Sequence, residues 1–536
     1  MRPSMLLLFL TLSFAPSLLA DEGQHHEELS AEQLGTVHFP VSCAASVQKP
    51  FERGVALLHS FWYEEAEKAF QQIAKDDPKC AMAHWGIAVS LWHQLWDHPK
   101  AGTVAQGLAE VKKAKSLHPK TERERDYIKA MSTFYDHSNT VDHHARAVAY
   151  SAAMEKLYQR NPGDREAAAF YGLSLLASEP ENDSSFANRR KAVEVLEKVF
   201  AQEPNHPGVA HYIIHSCDKP QLAELGLPAA RRYAQIAPAA PHALHMPSHI
   251  FARVGLWQDD IDSNVASIAA TRKTAAMHMG GEAHQFHAMD FLVYAYLQSG
   301  HDAEAQHVIE ETKTMPRMKS DKYGEYDAHA YVLAQFPAMY ELELHHWTEA
   351  AALMPVAGSD KGTEAITYWA RSIGAVRSGN LVQARKDLEE MDGIHRSLVA
   401  DKKTFEAKLV DKGHQEATAW LWHAEGKDDQ AIASLRALAD EDDKLGDEPT
   451  AIPAREMLAD LLLELKRPEQ ALAEYQIDLR FNPNRFNGLY GAARAAEMAG
   501  KTDKANDYYA QLVKACAGSN SDRPELARAK SLIAQK

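Results

Sequence analysis

The sequence predicts an all-α chain: a right-handed superhelical solenoid of roughly ten to twelve antiparallel helix pairs. Three observations carry this. Ala471 and Tyr475 are followed thirty-four residues later by Ala505 and Tyr509, and Ala350 by Ala384 at the same interval. Gly255, Gly300, Gly379, Gly426 and Gly500 each stand just before an apolar-periodic segment, where one helix turns into the next through a left-handed residue. No stretch of useful length alternates apolar and polar residues as a half-buried strand would.

Residues 1–20 read as a signal peptide, removed on export. Arg2 supplies a positive start, residues 5–14 form an apolar run too short to span a bilayer, and Ala15, Pro16 and Ser17 break it ahead of Ala20. The expected location is periplasmic or secreted, with no membrane insertion after cleavage. Residues 21–45 form a polar lead-in, His/Glu-rich and disordered as far as residue 40. Cys43 and Cys80 flank the first helix pair, and an oxidising compartment allows a disulfide between them, although four cysteines permit three pairings. Cys217 and Cys516 then read as small apolar core residues.

Repeated units occupy the rest. In FERGVALLHSFWYEEAEKAFQQIAKDDP, Gly54 falls on a first helix, Ala66 and Phe70 on a second, and Pro78 ends the unit. Gly86 follows Gly54 after thirty-two residues. The small residue lets two helices approach, the aromatic fills the gap to the neighbouring unit, and the proline stops the second helix. Residues 46–204 form N-terminal units, 205–300 a histidine-rich group, and 301–536 C-terminal units. The spacing and the small–aromatic–proline pattern resemble the tetratricopeptide repeat over nearly the whole mature chain. The blocks FERGVALLHSFWYEEAEKAF, CAMAHWGIAVS and APHALHMPSHIFARVGLWQDDIDSN further resemble a poorly characterised group of exported bacterial tetratricopeptide proteins. That resemblance implies a fold and an envelope location, and no reaction.

The formal net charge of −16 argues against nucleic acid, which would select a basic stripe, and against docking on anionic lipid. The function expected of a repeat array is to hold a protein or peptide partner along its concave groove.

The 28 histidines complicate that expectation. His211 and His215 stand four apart in HYIIH; His242, His245 and His249 stand three and four apart in HALHMPSH; His287 and Asp290 stand three apart in HQFHAMD. Such spacings put side chains on one helix face. In the tetratricopeptide register these residues take groove-lining positions of three successive first helices. Pro247 either interrupts one of those helices or begins it after an extended connection, which would put His242 and His245 on a loop. Four readings stand open. The cluster holds a divalent transition metal (zinc, copper, iron or nickel). It is a metal-free groove for an acidic peptide or glycan. It transfers protons through His287 and Asp290. Or its imidazoles are buried packing residues. HYIIH lacks the glutamate of a HExxH metalloprotease, and GSDKG near Gly358 lacks the ending of a phosphate loop.

Overall fold

A computed structural model describes residues 29–95, 98–277, 279, 283–316, 327–446 and 448–534. The expected signal peptide and residues 21–28 of the lead-in lie outside the described residues. Among those described there is no strand, and the helices follow one another as twelve consecutive pairs. The first pair is Gln48–His59 with Tyr63–Asp76, the last Phe486–Met498 with Thr502–Ala515, and Pro524–Ala534 closes the array. No helix among the described residues is long and apolar enough to cross a membrane.

The repeat residues do what their chemistry predicts. Ala66, Phe70, Ala471, Tyr475, Ala505 and Tyr509 are all buried. A Cβ on Gly86 would come within 2.4 Å of the Phe70 ring, so the aromatic of one unit occupies space that only a glycine in the next leaves open. Most turns between paired helices pass through a left-handed residue. Gly255 has φ 66°, and a Cβ there would also lie 2.3 Å from the Pro483 carbonyl oxygen. In the first pair that residue is not glycine: Phe61 occupies the left-handed region at φ 52°. For a bulky side chain that conformation is strained and persists only where the surroundings enforce it.

The superhelix is wound tightly enough for its turns to touch. The first pair meets the fifth, Pro207–Cys217 with Ala223–Ile236: His211 Nδ1 bonds the His59 carbonyl at 2.6 Å and the Tyr233 hydroxyl lies 3.5 Å from Ser60 Oγ. The sixth and seventh pairs meet the twelfth. Trp257 Nε1 donates to the Asn484 carbonyl at 2.8 Å and the Phe486 amide to Gln298 Oε1 at 3.0 Å. Buried Arg485 binds both carboxylate oxygens of Glu456 (3.0 and 2.8 Å), Glu343 (2.8 Å) and the Tyr294 hydroxyl (2.7 Å). Lys219 and Gln221, just after the fifth pair's first helix, donate to the carbonyls of Gly446 and Asp443. The inner face of the first seven pairs is therefore largely interior.

One expectation is corrected at the N-terminus. Residues 29–40 of the lead-in are ordered rather than disordered. Ala31–Leu34 is a short helix, the Thr36 amide bonds the Asn205 carbonyl, and the Gln33 carbonyl accepts from the Ala239 amide. Leu34 and Phe39 are buried, Phe39 among Phe51, Trp85 and Tyr127. The apolar residues in this otherwise polar stretch bridge two turns of the superhelix. Cys43 and Cys80 are disulfide-bonded, and Cys217 and Cys516 are free and buried.

Candidate metal centre

Four helices converge on the histidine-rich stretch. Pro207–Cys217 carries His211 and His215, Pro241–His245 carries His242 and His245, Pro247–Arg253 carries His249, and Ala283–Gln298 carries His287. Pro247 takes the first expected form and interrupts the helix. Met246 stays in the right-handed helical region (φ −52°, ψ −33°), so no extended connection precedes the proline and His242 and His245 remain helical. The missing N–H breaks the ladder, and two short helices run end to end.

The six imidazoles fall into two groups. One ring nitrogen each of His211, His215 and His242 lies within 4.8 Å of the others, and the same holds for His245, His249 and His287. They do not line an open groove. His211 is 0% exposed and His245 1%; of the six only His287 is exposed. Burial pushes the His211 imidazole down to about 3 and holds His215, His242 and His245 well below the ordinary histidine range. These rings are neutral at physiological pH.

Hydrogen bonds fix which nitrogen carries the proton. His211 Nδ1 faces the His59 carbonyl, which can only accept, so Nδ1 is protonated and Nε2 is bare. His245 Nδ1 donates to Asn264 Oδ1 at 2.7 Å; Asn264 is oriented by its own amide, which donates to the Asp260 carbonyl and to Asp260 Oδ1. His249 Nδ1 donates to Asp218 Oδ2 at 2.8 Å. Burial would raise the Asp218 carboxyl, but Arg253, bonded to Oδ1 at 3.0 Å, and His249 outweigh it and hold it ionised. His245 Nε2 is therefore an acceptor, and it faces His249 Nε2 at 3.0 Å, with His287 Nε2 at 3.3 Å from His249. A proton or a metal ion between the facing nitrogens satisfies their lone pairs. Outer partners that fix the tautomer and orient the ring are the usual support of metal-binding histidines.

A third cluster provides the contrast. His59, Glu166 and His206 are also within ligand distance of one another and buried. Here the Val209 amide donates to His206 Nδ1, so His206 Nε2–H donates to Glu166 Oε1 at 3.0 Å. His59 Nε2 meets Glu166 Oε2 at 2.8 Å, and the Tyr212 hydroxyl lies 2.9 Å from His59 Nδ1. Two donors meet two acceptor oxygens and no lone pair is left over. This cluster is a closed buttress beneath the His59 carbonyl. A Glu166→Gln substitution should cost about 1.5–3 kcal/mol in urea denaturation, the worth of hydrogen bonds to a buried charge, and leave the bound-metal content unchanged.

Asp290 stands apart from both groups. It lies one turn beyond His287, buried, with Oδ2 3.4 Å from Thr450 Oγ1. The carboxylate at the centre is instead Asp218, which the sequence reading did not single out, although it stands three residues after His215 as Asp290 does after His287. Burial pushes the Asp290 carboxyl up to about 7, against the lowering bond from Thr450. The folded chain then keeps a proton that the unfolded chain releases near pH 4, so stability falls as pH rises from about 4 to 7. Asp290→Asn should raise the stability at pH 8 by roughly 2 kcal/mol in thermal melts and change little at pH 4.

Phe61 forms the wall of the first group. Its ring centroid lies 4.3 Å from that of His211, edge on, and 5.5 Å from those of His215 and His242, stacked on both. The strained left-handed backbone at Phe61 is what points this ring at the imidazoles. No sequence spacing announces it, and the turn residue is no signal by itself, since His137, His345 and Lys466 also stand in the left-handed region without being glycine.

Residues 488–519, spanning the twelfth pair, match the family model of the tetratricopeptide repeat. The twelfth helix pair is therefore a tetratricopeptide repeat. No curated protein matches the chain. Among solved structures, the chain is similar to the human IFIT1 dimer with m7Gppp-AAAA, at 13% identity and TM-score 0.32 over 82% of this chain and 90% of that one. It is also similar to Naa15/Naa10 bound to HypK-THB, at 11% identity and TM-score 0.24 over 91% of each chain.

Proposed function

We propose that this tetratricopeptide protein is a metal-dependent protein that binds a late first-row transition ion through His245, His249 and His287. The observation that carries the reading is the convergence of three Nε2 atoms, those of His245 and His287 at 3.0 and 3.3 Å from that of His249, with the Nδ1 atoms of His245 and His249 held by Asn264 and Asp218. Neutral imidazoles suit zinc, copper, nickel and iron, and the affinity order favours copper and zinc. Three protein ligands leave a coordination position for an outside ligand, the arrangement of catalytic rather than structural sites. The ion would supply Lewis-acid or redox chemistry. The chain's own residues hold it: Asn264 and the Asp218–Arg253 pair fix two rings, and Phe291 packs against His245 and His249.

A peptide lying along this stretch would need exposed imidazoles, and five of the six are buried or nearly so. An exported location goes with the reading. The apolar run at residues 5–14 and the Cys43–Cys80 bond, which belongs to an oxidising compartment, support it.

Elemental analysis of the purified protein tests the proposal. Stoichiometric copper, zinc, nickel or iron is expected in the wild type, or is taken up on dialysis, and is lost in His245→Ala/His249→Ala. A wild-type protein that neither carries nor takes up such an ion, and shows no rise in melting temperature on its addition, overturns it.

A further inference from the structure

The group formed by His211, His215 and His242 lies beside the proposed ion site and takes no part in it. One ring nitrogen of each lies within 4.8 Å of the other two, and His211 Nε2, an acceptor, is 3.0 Å from His242 Nε2. Three nitrogens bound to one ion at 2.0–2.1 Å in tetrahedral array are about 3.3 Å apart, so small ring rotations would bring this group into ligand geometry. The surroundings are built to hold the rings. The His59 carbonyl fixes His211, the His59–Glu166–His206 buttress fixes the segment bearing that carbonyl, and Phe61 is pressed against all three rings. Gly208 permits the buttress, since a Cβ there would lie 2.3 Å from His59 Nδ1.

The two groups adjoin. His242 and His245 ring centroids are 6.2 Å apart, and those of His215 and His249 6.4 Å. We propose that His211, His215 and His242 bind a second late first-row ion, so that the protein carries a paired centre of two three-imidazole sites. The inference rests on the metal reading of His245, His249 and His287 and extends it from one ion to two neighbours. Paired ions about 3.5–4 Å apart act together on one small ligand, which a single ion does not.

Copper(II) loading of the full-length chain, followed by elemental analysis and electron paramagnetic resonance, tests this. Two copper ions per chain are expected, with a spin count below the copper content or a half-field signal, either of which reports neighbouring ions. His215→Gln and His242→Gln should each reduce the content to one ion with an uncoupled spectrum. Wild-type protein that saturates at one copper overturns the second site while leaving the first standing. Two ions with a full spin count and no half-field signal overturn the pairing. No bound copper, zinc, nickel or iron at all overturns the underlying metal reading instead. Because wild-type stoichiometry is read first, the proposal stays testable even if a variant fails to fold.

Discussion

Arg485→Met should destabilise the protein by about 3–5 kcal/mol, the cost of leaving buried carboxylates without their partner. Arg485 and Glu343 have 0% side-chain exposure and Glu456 3%. The guanidinium holds both acids at once and also binds the Tyr294 hydroxyl. Without it, two carboxylates face each other in the interior, where one must take up a proton or the turns must separate. Urea denaturation measures the loss. The triple variant Arg485→Met/Glu343→Gln/Glu456→Gln should recover most of it, because the penalty is the uncompensated charge rather than the missing bonds. A single variant as stable as the wild type would mean that water reaches the network.

Removing the disulfide with Cys43→Ala/Cys80→Ala should cost about 4 kcal/mol on the chain-entropy account of a closed loop this long. The bond closes thirty-seven residues of separation, and that loop contains the whole first pair. The expected readout is a lower melting temperature in the variant that reductant does not lower further, against a wild type that reductant lowers to the same value. The Ser42 amide and hydroxyl both donate to Glu124 at 2.6 Å, so the segment stays pinned at a second point. A loss well below the estimate would credit that anchor.

Much of the array was legible because repeat packing is local. Alanine, aromatic and glycine at fixed intervals report contacts within a pair and to its neighbour, and these contacts recur in the structure at Gly86 against Phe70 and at the Gly255 turn. The histidines stood out for the same reason: spacings of three and four on a helix describe one face. What could not be read was anything set by the next turn of the superhelix. The His59 carbonyl is 152 residues from His211, and no periodicity links them. The closure turned an expected open groove into an interior. Asp218 was missed because it lies past the end of its helix and acts on a ring thirty-one residues away. Residues 29–40 looked disordered because the backbone bonds that hold them, Thr36 to Asn205 and Ala239 to Gln33, reach units far along the chain.

Contact between successive turns also changes how the molecule can come apart. An open stack of repeats frays from its ends, one unit at a time, because each unit touches only its neighbours. Here the first pair is held by the fifth, and the sixth and seventh by the twelfth through bonds such as Trp257 to Asn484, 227 residues apart. Loosening either end therefore strips support from the middle. Folding must wait for encounters between distant segments, which is slow, and once complete it should be lost in few large steps. The imidazole clusters sit at the seam where those late encounters meet, so they are assembled last and sheltered longest.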